Sequence, residues 1–433
     1  MSANIIHAIY AMDSVSGITF ATLGCKLNQA ETEQLACQFG AAGYKIADET
    51  AADICVLNTC TVTHVADRKS RHLIRLFRKR NPHVFIIATG CYAERAPEEL
   101  IRAGADMVVG NKRKSEIVEM LNKKLSRPML PNSLQKNEED SLSRVRSFVK
   151  IQDGCQSGCA YCVVPSVRGT EFCLAVEEIV KTVKTRYIAG HKEVILTGTK
   201  VGSYRHDGID LGGLVKRILD DTSVERIHVS SLQPQEISTE LLTLWRNPRL
   251  IRHFHLVLQS GCDSILKRMN RRYTTADYKM VLDTIRKFIP DVAITTDIIV
   301  GFPGESGDEF EESYRFCKEI GFAAMHIFVY SPRPETLAAT MRGQVSSIIK
   351  KERSLRMLEL ARGSAELFES RFLGHEMIVL WENEVNPGSG VYSGLTENYM
   401  RVFTRNEKSL NNRVTRVRLV KKHKEGFWGE IIG

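Results

Sequence analysis

Short apolar runs alternate with longer helical stretches along most of this 433-residue chain, and few architectures accommodate such an alternation. In the first region, strands are predicted at residues 18–22, 53–57 and 84–89, and helices at 29–42 and 66–80. A chain of this kind folds into a parallel sheet that is covered by helices. We therefore predict an α/β protein whose first domain, residues 17–125, is a doubly wound parallel sheet.

The alternation resumes after a polar stretch with two prolines, residues 126–144, which is typical of a linker. Strands of this second region are predicted at residues 147–151, 193–197, 226–230, 254–258, 293–300 and 325–330. Helices are predicted at 175–189, 211–221, 275–288 and 306–320. Six βα units are too few for a closed eight-unit barrel. We therefore predict an open, partial (β/α)6 barrel over residues 145–345.

Both ends of the chain differ from these two regions. Residues 346–371 have the pattern of one helix that leaves the barrel, and residues 372–433 alternate in short runs typical of a small all-β domain. Residues 1–16 lack the layout of a signal peptide and are predicted to be a loose tail. No apolar run is long enough to span a membrane. We expect a cytoplasmic protein with no membrane partner, in which the 11 cysteines stay reduced.

The net charge of +9 is concentrated in two segments. Residues 68–80 contain seven Lys or Arg and no acid, and residues 401–424 contain nine against Glu407 alone. Two such patches favour a polyanionic partner, most simply nucleic acid, although each alone is also compatible with a solvated surface. The candidate phosphate contacts of the second patch are Arg413, Arg416, Arg418, Lys421 and Lys422.

The stretch "DGCQSGCAYC" at 153–162 places three cysteines, Cys155, Cys159 and Cys162, directly after a predicted strand. Ligands bind at the carboxyl ends of strands in α/β folds. A structural zinc ion would need a fourth ligand, and the nearest candidates, Cys173 and His191, do not have a paired spacing. Three thiolates suit a 4Fe-4S cube with one open iron better, and we favour it over zinc.

A second set of cysteines is spread along the first domain. Cys25, Cys60 and Cys91 each follow the carboxyl end of a predicted strand. In a parallel sheet these ends share one edge, so the three loops can converge on a second three-thiolate site. The equally weighted alternative is that these three are unrelated buried thiols. That description suits Cys37, in a predicted helix, and Cys55, inside a predicted strand, better than it suits the three loop cysteines.

Glycine and serine follow four strands of the second region, in "LTGTKVG", "VSSLQP", "LQSGCD" and "VGFPGE". Small residues at these positions let the backbone approach a ligand closely. Four such stretches around one rim favour a bound small cofactor. The candidate residues are Gly198, Ser230, Ser231, Gln259 and Gly301.

Several motifs together resemble one family. "CQSGCAYC" has the CxxxCxxC spacing of radical S-adenosylmethionine (SAM) enzymes. "LGCKLNQAETE", "ATGCYAER", "TDIIVGFPGE" and "FVYSPRPETLAA" resemble the methylthiotransferases, and "GLTENYMRV" is similar to the TRAM domain, a small RNA-binding β-barrel. The chain departs from the family pattern in "TEFCLAVEEI" after Gly169 and in Cys262, where serine is common.

The resemblance implies two 4Fe-4S clusters and SAM as cofactors. Cys155, Cys159 and Cys162 would bind the cluster that chelates SAM, and the rim residues would form the SAM pocket. Cys25, Cys60 and Cys91 would bind an auxiliary cluster. SAM would serve both as methyl donor and as source of a 5′-deoxyadenosyl radical, and no side chain is assigned as catalytic. The chemistry also implies an electron donor, such as flavodoxin or ferredoxin, and a sulfur source.

Within the family, "GCKLNQAETE" and "NTCTVT" resemble the branch that modifies carbon 2 of threonylcarbamoyladenosine at position 37, beside the anticodon of tRNA. We therefore expect a tRNA methylthiotransferase that binds the anticodon stem-loop. The alternatives are a methylthiotransferase for isopentenyladenosine tRNA or for a ribosomal-protein aspartate. A different class of alternative is a non-catalytic iron–sulfur sensor that binds RNA.

Overall fold

The computed structural model describes residues 17–125, 145–423 and 425–432. The tail predicted for residues 1–16 and the linker predicted for residues 126–144 lie outside the described residues. Within the described part of the chain, the longest helix has 24 residues, and no helix is both long and apolar enough to cross a membrane.

The N-terminal domain is built on one five-stranded sheet, whose strands are all parallel and lie in the order β2-β1-β3-β4-β5. The strands are β1 (Gly17–Thr22), β2 (Lys45–Ile46), β3 (Ile54–Thr59), β4 (Phe85–Gly90) and β5 (Met107–Val109). The helices are α1 (Lys26–Ala41), α2 (His64–Arg80), α3 (Cys91–Arg95), α4 (Pro97–Ala103) and α5 (Ile117–Lys124). A 3-10 turn, Asn111–Glu116, precedes α5.

Successive side chains of a strand point to opposite faces, and both faces of this sheet are buried. Val56 and Ile87 pack with Leu35 of α1 on one face. Leu57 packs with Ile74 of α2 on the other. Helices therefore cover both faces, which confirms the doubly wound sheet. The short strands β2 and β5 were not predicted, because two or three residues are too few to show a period.

The central region contains six parallel strands. Two three-stranded ladders, β6-β7-β8 and β9-β10-β11, are joined by single parallel bridges from Ile227 to Leu250 and from Leu232 to Leu256. The strands are β6 (Arg146–Lys150), β7 (Glu193–Thr197), β8 (Arg226–Val229), β9 (His253–His255), β10 (Ala293–Val300) and β11 (Ala324–Val329). No ladder joins β6 to β11 among the described residues, so the predicted partial barrel is confirmed. Strand β9 is shorter than the predicted run 254–258, which continues only as isolated bridges.

Helices occupy the crossovers between these strands, as a parallel sheet requires. They are α6 (Val164–Arg168), α7 (Val176–Ile188), α8 (Leu211–Asp221), α9 (Thr239–Thr243), α10 (Asp263–Arg268), α11 (Thr275–Phe288) and α12 (Gly307–Ile320). Two further helices, α13 (Leu337–Thr340) and α14 (Ser347–Ser370), follow β11. Two short antiparallel pairs decorate the loops: Gln152–Asp153 with Phe172–Cys173, and Arg205–His206 with Ile209–Asp210.

The C-terminal region forms a closed five-stranded barrel with the order β12-β13-β14-β16-β15. Its strands are β12 (Glu376–Glu384), β13 (Val391–Thr396), β14 (Arg401–Arg405), β15 (Val414–His423) and β16 (Gly426–Ile431). Trp381, Val417 and Phe427 are fully buried at its centre. Closure leaves no open sheet edge, so a small domain of this kind needs few covering elements.

Candidate active site

Three neighbouring strands of the N-terminal sheet end in cysteine-bearing loops. Cys25 is the N-cap of α1 after β1, Cys60 follows β3, and Cys91 is the first residue of α3 after β4. The approach is close enough that a Cβ atom on Gly24 would lie 3.1 Å from the Cys60 sulfur. Gly24 also has φ +109°, which disfavours any residue with a side chain. The structure thus brings the three cysteines together at one sheet edge.

These three thiols influence one another electrostatically. Burial, with smaller contributions from the neighbouring Cys91 and Cys25, raises the pKa of the Cys60 thiol to about 12. Cys25 is exposed at the rim of this site, but desolvation by the surrounding protein still raises the pKa of its thiol, against the opposing charge of Arg168. Three thiolates cannot stay together in such a place unless a cation compensates them, and a metal centre supplies that charge.

The guanidinium of Arg168 connects this cysteine site to the barrel. Its side chain is 2% exposed and donates hydrogen bonds to Asn28 at 2.6 Å, Glu31 at 2.9 Å and Asp153 at 3.0 Å. Asn28 in turn accepts a hydrogen bond from the Cys25 thiol at 3.6 Å. Because Arg168 belongs to the barrel and Asn28 and Glu31 to α1, this network fixes the two domains against each other.

Glu31 is the most heavily paired acid of the network. Besides Arg168, it binds the ammonium groups of Lys114 and, at 3.3 Å, Lys150. Burial opposes its ionisation, but these three cations outweigh burial and hold the pKa of its carboxyl well below the usual range. Glu31 is therefore a permanent anion at the junction of the two domains.

The second cysteine triplet lies in the loop after β6. The Cys159 sulfur accepts a hydrogen bond from the Arg271 guanidinium at 3.2 Å, and the Cys155 thiol donates one to Ser157 at 3.3 Å. Burial raises the pKa of the Cys162 thiol to about 12. As in the first triplet, ionised sulfurs here need a compensating positive charge, and Arg271 supplies only part of it.

Neither triplet has the spacing of a single-ion site. Zinc bonds of about 2.3 Å would place tetrahedral sulfurs about 3.8 Å apart. In neither triplet do all three sulfurs lie within 4.8 Å of one another. Among the described residues, the group of three possible metal ligands that does is His255, Asp297 and His326. Wider spacing suits a cube, in which each cysteine binds a different iron. The soft donor set and its spacing thus fit iron–sulfur clusters.

The proposed zinc ligands outside the loop do not support zinc either. Cys173 sits in the short ladder with Gln152, where its sulfur accepts a hydrogen bond from the Arg205 amide at 3.4 Å. His191 precedes β7 and therefore lies at the opposite rim of the barrel from the cysteine loop.

A cavity of 810 Å³ lies between the three domains, and we call it the central cavity. Cys25 lines it from the N-terminal domain, Asp297 and His326 line it from the barrel, and Asn398 and Tyr399 line it from the C-terminal barrel. Its volume is within the range of small-molecule and cofactor sites. One chamber is thus shared by a cysteine site and the C-terminal barrel.

The predicted SAM-pocket residues do not all line one cavity. Gly198, Ser230 and Ser231 line the central cavity. Gln259 has φ +71° and instead lines a smaller pocket of 150 Å³ with Cys162. A Cβ atom on Gly301 would lie 2.4 Å from the Lys350 side chain, so Gly301 serves close packing there.

Three polar barrel residues in the central cavity were not identified from the sequence. Asp297 accepts hydrogen bonds from His255 and His326, both at 3.1 Å. Burial opposes ionisation of Asp297, but these bonds hold the pKa of its carboxyl well below its usual range, and the bond to Asp297 raises the pKa of His326. His255 ends β9, whereas Asp297 and His326 lie inside β10 and β11. Polar residues within otherwise apolar strands were the available signal.

Lys26 is a fourth residue that the sequence did not single out, although it follows Cys25 directly. Its side chain lines both the central cavity and an adjoining cavity of 710 Å³. Burial lowers the pKa of its ammonium group to about 8, while Glu193 and Asp297 oppose that shift.

The candidate phosphate contacts lie on the outside of the C-terminal barrel. Arg413, Arg416, Arg418, Lys421 and Lys422 are all exposed. Arg416 and Arg418 share one carboxylate, Glu376, at 3.8 and 2.8 Å, while Val417 between them points into the core. Two cations on one acid leave a net positive surface on this strand, β15.

Two departures from the expected motifs are structural in origin. Cys262 is 1% exposed, packs among Ile265 and Met269, and contacts the Glu312 carboxylate at 3.2 Å. It therefore fills a core position. After Gly169, the segment around Phe172 forms a short ladder with Gln152–Asp153, which braces the start of the cysteine loop.

Two segments of the chain match known sequence families. Residues 149–317 match the Radical SAM superfamily, and residues 17–110 match Uncharacterized protein family UPF0004. Among solved structures, the radical S-adenosylmethionine methyltransferase TsrM from Kitasatospora setae is similar, with a TM-score of 0.53 at 12% identity over 73% of this chain and 74% of that one. The fold and the cysteine loop therefore define a radical SAM protein.

Curated relatives are more specific. Threonylcarbamoyladenosine tRNA methylthiotransferase MtaB from Bacillus subtilis is 35% identical, over 93% of this chain and 94% of its own. The tRNA-2-methylthio-N(6)-dimethylallyladenosine synthase of Endomicrobium trichonymphae is 31% identical, over 95% and 99%. The chain belongs to the radical SAM methylthiotransferase family, and it is an enzyme.

Proposed function

We propose that this enzyme adds a methylthio group to carbon 2 of N6-threonylcarbamoyladenosine at position 37 of tRNA, in the cytoplasm. The observation that carries the proposal is the shared chamber: Cys25, Gly198 and Ser230 line one cavity together with the C-terminal barrel. A reaction that joins sulfur to a base needs the sulfur-bearing site, the SAM site and the RNA to meet in one place.

The two triplets would hold two 4Fe-4S clusters. The cluster that binds SAM would be held by Cys155, Cys159 and Cys162. The auxiliary cluster would be held by Cys25, Cys60 and Cys91. When bound, these cofactors supply the radical, the transferred sulfur and, from SAM, the methyl group. Arg271 stabilises the Cys159 thiolate through its hydrogen bond. Gly198, Ser230, Ser231 and Gln259 are proposed to bind SAM.

The chain's remaining task is to admit one adenine and exclude water. A base in the anticodon loop is unpaired, so it can be turned out of its stack at modest cost. The proposed phosphate contacts are the cations of β15 and the basic face of α2. They would hold the anticodon stem while Tyr399 and Asn398 border the chamber that the base enters.

The choice of modified adenosine rests on the relatives. The Bacillus subtilis relative named for threonylcarbamoyladenosine is 35% identical, and the one named for dimethylallyladenosine is 31% identical. Isopentenyladenosine, which is the dimethylallyl form, remains the alternative substrate, followed by a ribosomal-protein aspartate. The sensor hypothesis is disfavoured because the family consists of enzymes. Anaerobic cleavage of SAM to 5′-deoxyadenosine tests it directly.

The two-cluster assignment is tested by counting iron. Anaerobically reconstituted enzyme should hold about eight irons, four per cube. Changing Cys155, Cys159 and Cys162 to Ala should leave about four and abolish SAM cleavage. Changing Cys25, Cys60 and Cys91 to Ala should also leave about four, but SAM cleavage should persist while methylthiolation is lost.

Substitution of Cys37, Cys55 and Cys317 by Ala is the matched control, since these thiols lie in a helix, inside a strand and in the barrel core. The control should keep about eight irons. Full iron loading in either triplet variant would show that its cysteines are not cluster ligands. Assays would include flavodoxin or ferredoxin as electron donor and sulfide as sulfur source.

A further inference from the structure

The positive charges that line the central cavity are nearly all paired within the protein. Arg401 forms an ion pair with Glu382 at 3.0 Å and a hydrogen bond with Ser393. His255 and His326 both bind Asp297. Each of these basic side chains already has a carboxylate partner in the protein, so none of them needs an anion from a ligand.

Lys26 differs from them. Among the described residues its ammonium group forms neither an ion pair nor a hydrogen bond, although the residue is only partly exposed and lines two cavities. Two acids act on it from a distance, and both are engaged elsewhere: Glu193 pairs with Arg226 at 2.9 Å, and Asp297 binds its two histidines. An ammonium group that is partly shielded from water and has no partner in the protein is free to pair with an anion that enters the cavity.

The substrates named by the relatives differ in the group they would place in this cavity. A threonylcarbamoyl group carries a carboxylate and a hydroxyl, whereas a dimethylallyl group is apolar and uncharged. Only the first offers an anion to Lys26. The backbone N–H groups at the start of α1, where Lys26 is the first helical residue, add a positive partial charge at the same place.

We infer that Lys26 forms the subsite that binds the threonyl carboxylate and so selects threonylcarbamoyladenosine over adenosines with an uncharged N6 group. This inference deepens the proposed function and rests on it. Lys26 is a specificity residue and takes no part in the bond-forming chemistry.

Two other anions could occupy Lys26, and the experiment must separate them. One is the auxiliary cluster, since Cys25 is adjacent in sequence. The other is a phosphate of the tRNA backbone. Loss of either interaction would affect all tRNA substrates alike, because neither depends on the N6 substituent. Only if Lys26 binds the threonyl carboxylate should its loss weaken binding of the tRNA that carries this carboxylate and of no other tRNA.

The test uses the holoenzyme and synthetic anticodon stem-loops that differ only at position 37. That position carries threonylcarbamoyladenosine, its carboxylate methyl ester, isopentenyladenosine or adenosine. Wild-type enzyme should bind the acid about 10- to 100-fold more tightly than the ester, as expected for a charged hydrogen bond. Lys26→Met should weaken binding of the acid to the level of the ester and leave the ester within about twofold.

Lys26→Arg should retain part of the preference, because it keeps the charge with altered geometry. Lys45→Met is the control: Lys45 is an exposed lysine of the same domain, on β2 at the other end of α1, and its loss should change nothing. Steady-state kcat/KM for the acid and the ester should follow the same ratios as binding.

A wild-type enzyme that binds acid and ester equally would overturn the inference without any variant. An equal loss for acid and ester in Lys26→Met would also overturn it. In that case a changed electron paramagnetic resonance signal of the reduced auxiliary cluster would assign Lys26 to the cluster, and an unchanged one to phosphate. If no RNA yields a methylthiolated product, the proposed function is refuted. The ratio of acid to ester binding would still show whether Lys26 binds the carboxylate.

Discussion

At the scale of single residues, the junction between the N-terminal domain and the barrel is a network of buried charge. Glu31 is 4% exposed and binds Arg168, Lys114 and Lys150. Removing one partner from such a group leaves uncompensated charge in a place without water, which costs far more than breaking a surface pair. The same network holds Asn28 against Cys25, so it also shapes the site formed by Cys25, Cys60 and Cys91.

We predict that Glu31→Gln lowers the free energy of unfolding of the cluster-free chain by about 3 to 5 kcal/mol at pH 7. The pKa of Glu31 is depressed in the folded state, so its contribution is present above the unfolded-state pKa of about 4.3 and is lost as the pH falls below it. The difference between wild type and variant should therefore shrink as the pH is lowered from about 5, in urea titrations at each pH.

Glu49→Gln is the matched control for this prediction. Glu49 pairs with Arg80 in the same domain, but both side chains are 48% exposed. Its loss should cost at most about 1 kcal/mol. A Glu31 variant as stable at pH 7 as the Glu49 variant would show that the buried network contributes nothing to holding the domains.

At the scale of secondary-structure elements, strand β15 presents the densest positive surface of the C-terminal barrel. Arg413, just before this strand, and Lys421 form no ion pair among the described residues, whereas Arg418 binds Glu376 and Lys422 lies 3.5 Å from Glu369. The unpaired cations give up no internal ion pair when they meet phosphate. They should therefore contribute more to tRNA binding than their paired neighbours.

We predict that Arg413→Gln with Lys421→Gln weakens tRNA binding several-fold and lowers the slope of log affinity against log salt by roughly 1 for each phosphate that is no longer neutralised. SAM cleavage without tRNA should be unaffected, because no proposed cluster ligand lies in this barrel. Lys181→Gln with Lys184→Gln, on exposed positions of α7, should leave the slope unchanged. An unchanged slope in the β15 variant would identify its cations as a solvated surface.

The elements themselves were largely predictable from the sequence. Helices such as α8 and α11 lie where the apolar period places them, because one face of each is buried. Strands such as β7 and β10 lie where short apolar runs place them, because both of their faces are covered. Strand ends alone allowed Cys25, Cys60 and Cys91 to converge, but they did not distinguish this from three unrelated thiols. What could not be predicted was which small residues face a ligand: Gly198 does line the cavity, whereas Gly301 packs closely against Lys350.

At the scale of the whole molecule, the central cavity exists only because three domains meet. Lys26, His326 and Tyr399 line it from three distant parts of the chain. Local patterns of hydrophobicity do not indicate which residues from distant parts of the chain become neighbours. Those contacts depend on how the folded domains pack against one another. The same holds for Arg333, 1% exposed after β11, whose guanidinium binds Asp67 of α2 at 2.6 Å.

The two cysteine sites and the cavity between the domains are proposed to serve one reaction on tRNA. Single-turnover reactions of the anaerobic holoenzyme, followed by mass spectrometry of tRNA nucleosides, test that claim most directly. We predict that threonylcarbamoyladenosine is converted to its 2-methylthio derivative, with one S-adenosylhomocysteine and one 5′-deoxyadenosine formed per product. Absence of this nucleoside, or preferential modification of isopentenyladenosine tRNA, would contradict the account.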